Sequence, residues 1–250
     1  MTSLEGRVAL VTGSSRGIGA AIARRFAAAG GKLALHGRDA EALAVVQRDI
    51  EQQGGVSLPV LADVTRFEQI EAMRQQIERT LGPIDVLVTS AGGSFTMPGP
   101  FEEITEAGWH ASVDGNLTAT FLTLRAFLPR MIELRRGAIV TMASSAGRQA
   151  GLASPAYAAA KAGVVMLTGH LARELGPHGI RINCVAPSAI MNERLARAPE
   201  AVLRDLAASF PLRRIGTADD VAAATLYLAS EASSWITGVT IDIAGGRIIV

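Results

Sequence analysis

Tyr157 and Lys161 stand four residues apart in the run Tyr157-Ala158-Ala159-Ala160-Lys161, so on a helix both side chains leave one face. A free phenol titrates near pH ~10 and a free ammonium near ~10.4, and neither is an effective acid–base group at neutral pH. Side by side they can be, because an ammonium favours the phenolate; a shift of about three units asks for roughly 4 kcal/mol. Such a phenol protonates a carbonyl oxygen or removes the proton of an alcohol. Ser144, thirteen residues earlier and just after an apolar run at 138–142, can hold the same oxygen by hydrogen bonding. A lone Tyr-x-x-x-Lys also fits an ordinary surface pair on an alanine-rich helix, so the chemistry rests on what accompanies it.

It is accompanied by a glycine-rich turn. The apolar run 8–12 leads into Thr12-Gly13-Ser14-Ser15-Arg16-Gly17-Ile18-Gly19, after which a helical pattern begins. A strand, a bare turn and a helix start gather free N–H groups and the positive helix end at one point, which suits a diphosphate. The spacing G-x-x-x-G-x-G differs from the generic dinucleotide fingerprint, and a plain strand–helix corner is the simpler alternative. Gly13-Ser14-Ser15-Arg16-Gly17 also matches a nucleophile elbow. That reading fails on chain order: the last histidine is His178, and no strand precedes the turn to supply an oxyanion loop.

The second strand ends His36-Gly37-Arg38-Asp39. An acid here would hold the 2′-hydroxyl of NAD, and a basic residue the 2′-phosphate of NADP. Asp39 is the candidate acid, yet it directly precedes a helical run and reads as an N-cap. Gly37 leaves the usual acid position empty and Arg38 offers a guanidinium fork, with Arg16 as a second cation. The balance favours NADP(H), with NAD(H) open. Asp63, followed by Val64, is placed to accept from an adenine amino group or to cap the next helix.

These residues need a frame. Apolar runs at 8–12, 33–36, 58–61, 86–89, 138–142, 180–185 and 239–243 alternate with helical stretches at 18–29, 40–53, 67–80, 109–134, 156–175 and 218–228. Continuous apolar strands joined by helices predict an α/β, doubly wound, seven-stranded parallel sheet covered on both faces, a single-domain Rossmann fold over 1–250. Residues 188–210 interrupt the rhythm and read as a short helical insertion, a lid. With 250 residues, 49% hydrophobic and 19% charged, the chain is a compact globule that buries about 72% of its unfolded surface. Twenty-four basic against 23 acidic side chains give +1, no field for nucleic acid or an anionic membrane. The longest run without charge, 86–101, is broken by Gly and Pro and does not span a bilayer; the N-terminus is too short in apolar length for a signal peptide. The single Cys184 reads as a small core residue in a reducing compartment, and the expected location is the cytoplasm.

Taken together, Thr12–Gly19, Asp63, Ser144 and Tyr157-x-x-x-Lys161 resemble the short-chain dehydrogenase/reductases over essentially the whole chain, in particular the 3-oxoacyl-carrier-protein reductases. The resemblance implies hydride transfer between a nicotinamide and a carbonyl or secondary alcohol. Tyr157 is then the acid–base, Ser144 the oxyanion partner, Lys161 the pKa tuner and ribose anchor, and Asn116 the residue holding a proton-relay water. It implies cofactor contacts at Gly13, Ser15, Arg16, Gly17, Ile18, Gly19, Arg38, Asp63, Val64, Ser90, Ala91, Gly92, Pro187, Ile190 and Asn192, and a homotetramer. Three positions depart from the family: Ser90 stands for an asparagine, Ser188 for a glycine after Pro187, and Asn192 for a threonine.

Phe95, Met97, Leu152 and Met191 suggest a substrate with an apolar body. Arg135 and Arg136 occupy a place resembling the carrier-protein docking patch, or simply complement a helix C-terminus. A dinucleotide-binding protein with little catalysis is the alternative from another class. The histidines lack metal spacing, so no metal site is expected. Trp109 and Trp235 read as packing residues. The apolar end 247–250 is expected to pack at a subunit contact.

Overall fold

The computed structural model describes residues 2–248. Its elements run β1 Val8–Thr12, α1 Gly17–Ala28, β2 Lys32–Gly37, α2 Ala40–Gln52, β3 Ser57–Leu61, α3 Phe67–Thr80, β4 Val86–Thr89, α4 Glu106–Val113 and α5 Ala119–Leu134. There follow β5 Gly137–Met142, α6 Pro155–Leu175, β6 Ile180–Pro187, α7 Glu193–Ala196, α8 Glu200–Ala208, α9 Ala218–Ala229 and β7 Thr240–Ile243. The seven strands pair in parallel in the order β3-β2-β1-β4-β5-β6-β7. The order turns back between β1 and β4, where Thr12 lies opposite Thr89, and a crevice opens beyond the strand ends at such a point.

The continuous apolar runs have a direct cause in the pleat. On β1, Ala9 and Val11 face a core shared with Ile22 and Phe26 of α1 and Val221 and Leu226 of α9. Val8 and Leu10 face the opposite core, with Ile70 and Ile77 of α3 and Phe127 of α5. Both faces of the strand are thus dry, and each Leu, Ile or Phe buried there contributes roughly 1.5–3 kcal/mol. Those two layers hold the strand ends rigid where the turn and the Ser144 segment emerge. Cys184 is buried in β6, in keeping with a small core role.

One helical stretch differs from the sequence expectation, and the insertion is helical as expected. The single helix expected over 109–134 is instead α4, a wide π-type turn at Asp114–Thr118, and α5. α4 begins earlier because Thr105 caps it, accepting from the Gly108 N–H at 3.0 Å. The insertion at 188–210 carries two short helices, α7 and α8, neither with a buried residue. Trp235 is 99% exposed and so is not a packing residue within this chain; Trp109 is also exposed. At the C-terminus, Arg247 lies over the Phe210 ring, while Ile249 and Val250 fall outside the described residues.

Candidate active site

The glycine-rich turn is built to keep its backbone bare. Gly13 takes φ +68°, and a Cβ there would come within 2.9 Å of the Ala91 Cα; one at Gly19 would overlap the Gly13 carbonyl. Gly17, at φ +56°, has open space where a side chain would project. Thr12 closes the seam to the next loop: its Oγ1 accepts the Ala91 N–H at 3.1 Å and donates to the Val88 carbonyl at 3.3 Å. α1 then starts with no capping side chain and no acid in its first turn. Free N–H groups and the positive helix end therefore meet at bare backbone, and the residues present fit a diphosphate.

Beside this turn the two arginines differ. Arg16 pairs with Asp39 at 2.7 Å, and the other Asp39 oxygen caps α2 by accepting from the Ala42 N–H at 3.1 Å. Arg38 is exposed and has no carboxylate partner among the described residues. Ser15 packs on Gly37, its Cβ 3.2 Å from where a Gly37 Cβ would stand. Asp63 accepts both the N–H (2.9 Å) and the hydroxyl (2.7 Å) of Thr65 on one oxygen, bonds that hold its carboxyl below the usual range. It is not the cap of α3, whose N-cap position is Arg66. Val64 packs on the second core.

Ser144, at the end of β5, and Tyr157 and Lys161, on α6, face the same cleft as the turn. This space of about 430 Å³ is bounded by Gly13, Arg16, Gly17, Ile18 and Gly19 on one side and by Ser144, Tyr157 and Lys161 on the other. Ser90, Ala91, Gly92, Pro187, Ile190 and Asn192 also line it, together with Gly93, Met142, Ala143, Ser188 and Met191. Ser15, Arg38, Asp63, Val64 and Asn116 are not part of that wall. Lys161 is 4% exposed, its Nζ donating to the Met142 carbonyl at 2.8 Å and lying 5.8 Å from the centre of the Tyr157 ring. The surface-pair reading is therefore wrong for Lys161. Burial pulls its ammonium down to about 8. Burial pushes the Tyr157 phenol up, opposed by hydrogen bonding from Ser144. The chain by itself thus keeps Tyr157 protonated at neutral pH, poised to donate, rather than depressing it as the pairing alone suggested.

Asn116 lies fully buried behind this wall. Its side chain accepts the Gly93 N–H (3.1 Å) and donates to the carbonyls of Gly93 (2.9 Å) and Ser112 (2.8 Å). Bonding back to Ser112 widens the helix into the π-type turn. Of the departures, Asn192 caps α7 by accepting from the Leu195 N–H at 2.9 Å, and the Ser188 N–H donates to the Ile243 carbonyl at 3.1 Å. Gly147 escaped sequence reasoning. A Cβ on it would stand 2.5 Å from the Lys161 carbonyl carbon, so the turn after Ser144 rests directly on the α6 backbone. The contact between Ser14, buried within the first turn, and His36, buried at the end of β2, escaped it too, because the two are distant in sequence.

Phe95, Met97, Leu152 and Met191 are exposed large apolar residues. Arg135 is the left-handed cap of α5, at φ 52°, and donates to the Pro177 carbonyl at 2.8 Å, while Arg136 meets the buried Asp85 at 2.9 Å. Both guanidinium groups are engaged within the chain, at Pro177 and Asp85.

With this geometry in place, comparisons with known proteins give a consistent result. The family described as enoyl-(acyl carrier protein) reductase matches residues 13–247. The (2S)-[(R)-hydroxy(phenyl)methyl]succinyl-CoA dehydrogenase subunit BbsD of Thauera aromatica is 36% identical over 98% of this chain and 97% of its own. The crystal structure of the 3-oxoacyl-[acyl-carrier protein] reductase of Brucella melitensis superimposes with TM-score 0.93 at 35% identity, covering 99% and 94% of the two chains. That of a gluconate 5-dehydrogenase from Burkholderia cenocepacia, in complex with NADP and tartrate, gives 0.91 at 32%, covering 98% and 96%. The family match over residues 13–247, with relatives and solved structures of 32–36% identity over nearly the whole of both chains, places the chain among the short-chain dehydrogenase/reductases, similar to 3-oxoacyl-carrier-protein reductases and acting as an NAD(P)-dependent oxidoreductase on CH–OH and C=O groups.

Proposed function

We propose that the chain is an NADPH-linked reductase of ketones with an apolar body, able to run in reverse on the secondary alcohols. The observation that carries this is the convergence of the uncapped start of α1 with Ser144, Tyr157 and the buried Lys161 on one cleft. Hydride would come from, or go to, a nicotinamide held in this cleft. Ser144 donates to the substrate oxygen, Tyr157 gives it a proton as negative charge develops there, and Lys161 biases the phenol and anchors the ribose hydroxyls. Asn116, behind the cleft, supports the relay that returns a proton through Lys161.

NADP is favoured because Asp39 is taken up by Arg16 and by the cap of α2, which leaves Arg38 to meet a 2′-phosphate. Residues 1–250 act as one dinucleotide-binding domain with 188–210 as the lid. A homotetramer is supported by Phe121 and Met166, large apolar residues exposed on α5 and α6. A lone buried thiol supports a cytoplasmic location.

A 3-oxoacyl thioester is the second reading, favoured by the names of the relatives. Against carrier-protein docking stand the internal bonds of Arg135 and Arg136. A panel of free apolar ketones and of 3-oxoacyl thioesters, each followed by loss of NADPH absorbance, separates them. Reduction of the free ketones is expected. Turnover of thioesters alone moves the assignment to the second reading, and tight NADPH binding with no turnover would leave a binding protein.

A further inference from the structure

His36, 2% exposed at the end of β2, lies under the phosphate turn and makes a bond with each ring nitrogen. Nδ1 is 3.0 Å from the Gly13 N, and Nε2 is 3.0 Å from the Ala62 carbonyl oxygen. Gly13 can only donate and the Ala62 carbonyl only accept, so a single state satisfies both: the neutral ring with its proton on Nε2. The backbone of His36 fixes the same turn, exchanging bonds with Ser14 at 2.8 and 2.9 Å. A Cβ on Gly13 would stand 2.9 Å from the Ala91 Cα, so only glycine fits at this point of the turn.

We propose that His36 is a positioning residue that holds the Gly13 amide in the geometry the dinucleotide needs, so that protonating its ring loosens the turn and weakens dinucleotide binding. The proposal rests on the reading that this turn holds the cofactor phosphates. An imidazolium would set a second N–H against the Gly13 N–H, donor facing donor. Two charges act on the ring: Arg38, just beyond the end of β2, opposes protonation, and Asp63, after β3, favours it. Burial is the largest influence and lowers the pKa of the ring below that of a free imidazole.

The test measures NADPH binding by its fluorescence from about pH 7.5 to about pH 5, in wild type and His36→Asn. The Asn Oδ1 can stand where Nδ1 stands and cannot take up a proton. Wild-type affinity is expected to fall about fivefold more than that of His36→Asn over this interval, corresponding to one lost backbone bond. Ionisation of the 2′-phosphate of NADPH affects both proteins equally and cancels. Parallel profiles would overturn the role of His36 while leaving the cofactor reading intact, whereas no binding by wild type at any pH would remove that reading itself. A second measurement does not need the variant. By reciprocity, NADPH must lower the pKa of His36, seen by nitrogen NMR of labelled histidine, and an unchanged titration would overturn the proposal.

Discussion

Lys161 meets the Met142 carbonyl at 2.8 Å from a site 4% exposed, so its charge sits beneath the end of β5 with a backbone dipole as partner. Such a site disfavours the ammonium, and its pKa drops from 10.5 to about 8. Below that folded value, both folded and unfolded chains carry the proton and the penalty is complete. Between about 8 and 10.5 the unfolded chain binds more protons, so stability rises with pH; above both values the penalty is gone. Lys161→Met is therefore expected to melt higher than wild type at neutral pH, with the gap closing in alkali, while turnover falls at least about 100-fold. Calorimetry at the two pH values, with a turnover assay, checks both halves. A variant less stable at neutral pH would show that the bond to Met142 outweighs the buried charge.

Arg38→Ala is expected to weaken NADPH binding about tenfold or more, the loss of a charge-assisted contact, and to leave NADH binding unchanged. Arg16→Ala should cost far less, because Arg16 is already paired with Asp39 in a half-exposed bridge of small net value. Equal losses for both cofactors would contradict the phosphate role of Arg38.

Gly147→Ala adds a methyl group 2.5 Å from the backbone of Lys161, where no flexible side chain can yield. Overpacking of this kind costs about 1–3 kcal/mol, and here the strain falls between Ser144 and α6. The expected result is a lower melting temperature and a kcat reduced more than tenfold, with NADPH affinity kept within about twofold. Unchanged kcat would show that this contact does not set the spacing of the catalytic groups.

Much of this was legible from types and spacing alone. Strand apolarity on both faces of the sheet predicts the parallel architecture, and the turn at Thr12–Gly19 with Tyr157 and Lys161 identifies the groups that meet in the cleft. What was hidden depends on contacts distant in sequence. Unbroken helical periodicity gave no warning of the wide turn at Asp114–Thr118, because its cause is the bonding of Asn116 to Gly93 and Ser112. Nor could spacing reveal that Asp39 pairs with Arg16, that Gly147 presses on α6, or that burial raises the Tyr157 pKa.

Because burial pushes the Tyr157 phenol up, alcohol oxidation is expected to accelerate with rising pH as the phenolate forms, and carbonyl reduction to decline in the same range. Ser144 pulls the phenol the other way. Ser144→Ala should thus displace the alkaline limb to higher pH as well as slowing the reaction, as recorded by kcat/KM against pH. A slower reaction with an unmoved limb would separate Ser144 from the titration of Tyr157.

The central claim is that one phenol performs the proton transfer, and Tyr157→Phe tests it most directly, since it removes a single oxygen from the cleft. NADPH affinity and ketone turnover are measured on the same preparation. The expected result is affinity within about threefold of wild type and turnover reduced at least about 1000-fold. Turnover near the wild-type rate would contradict the account.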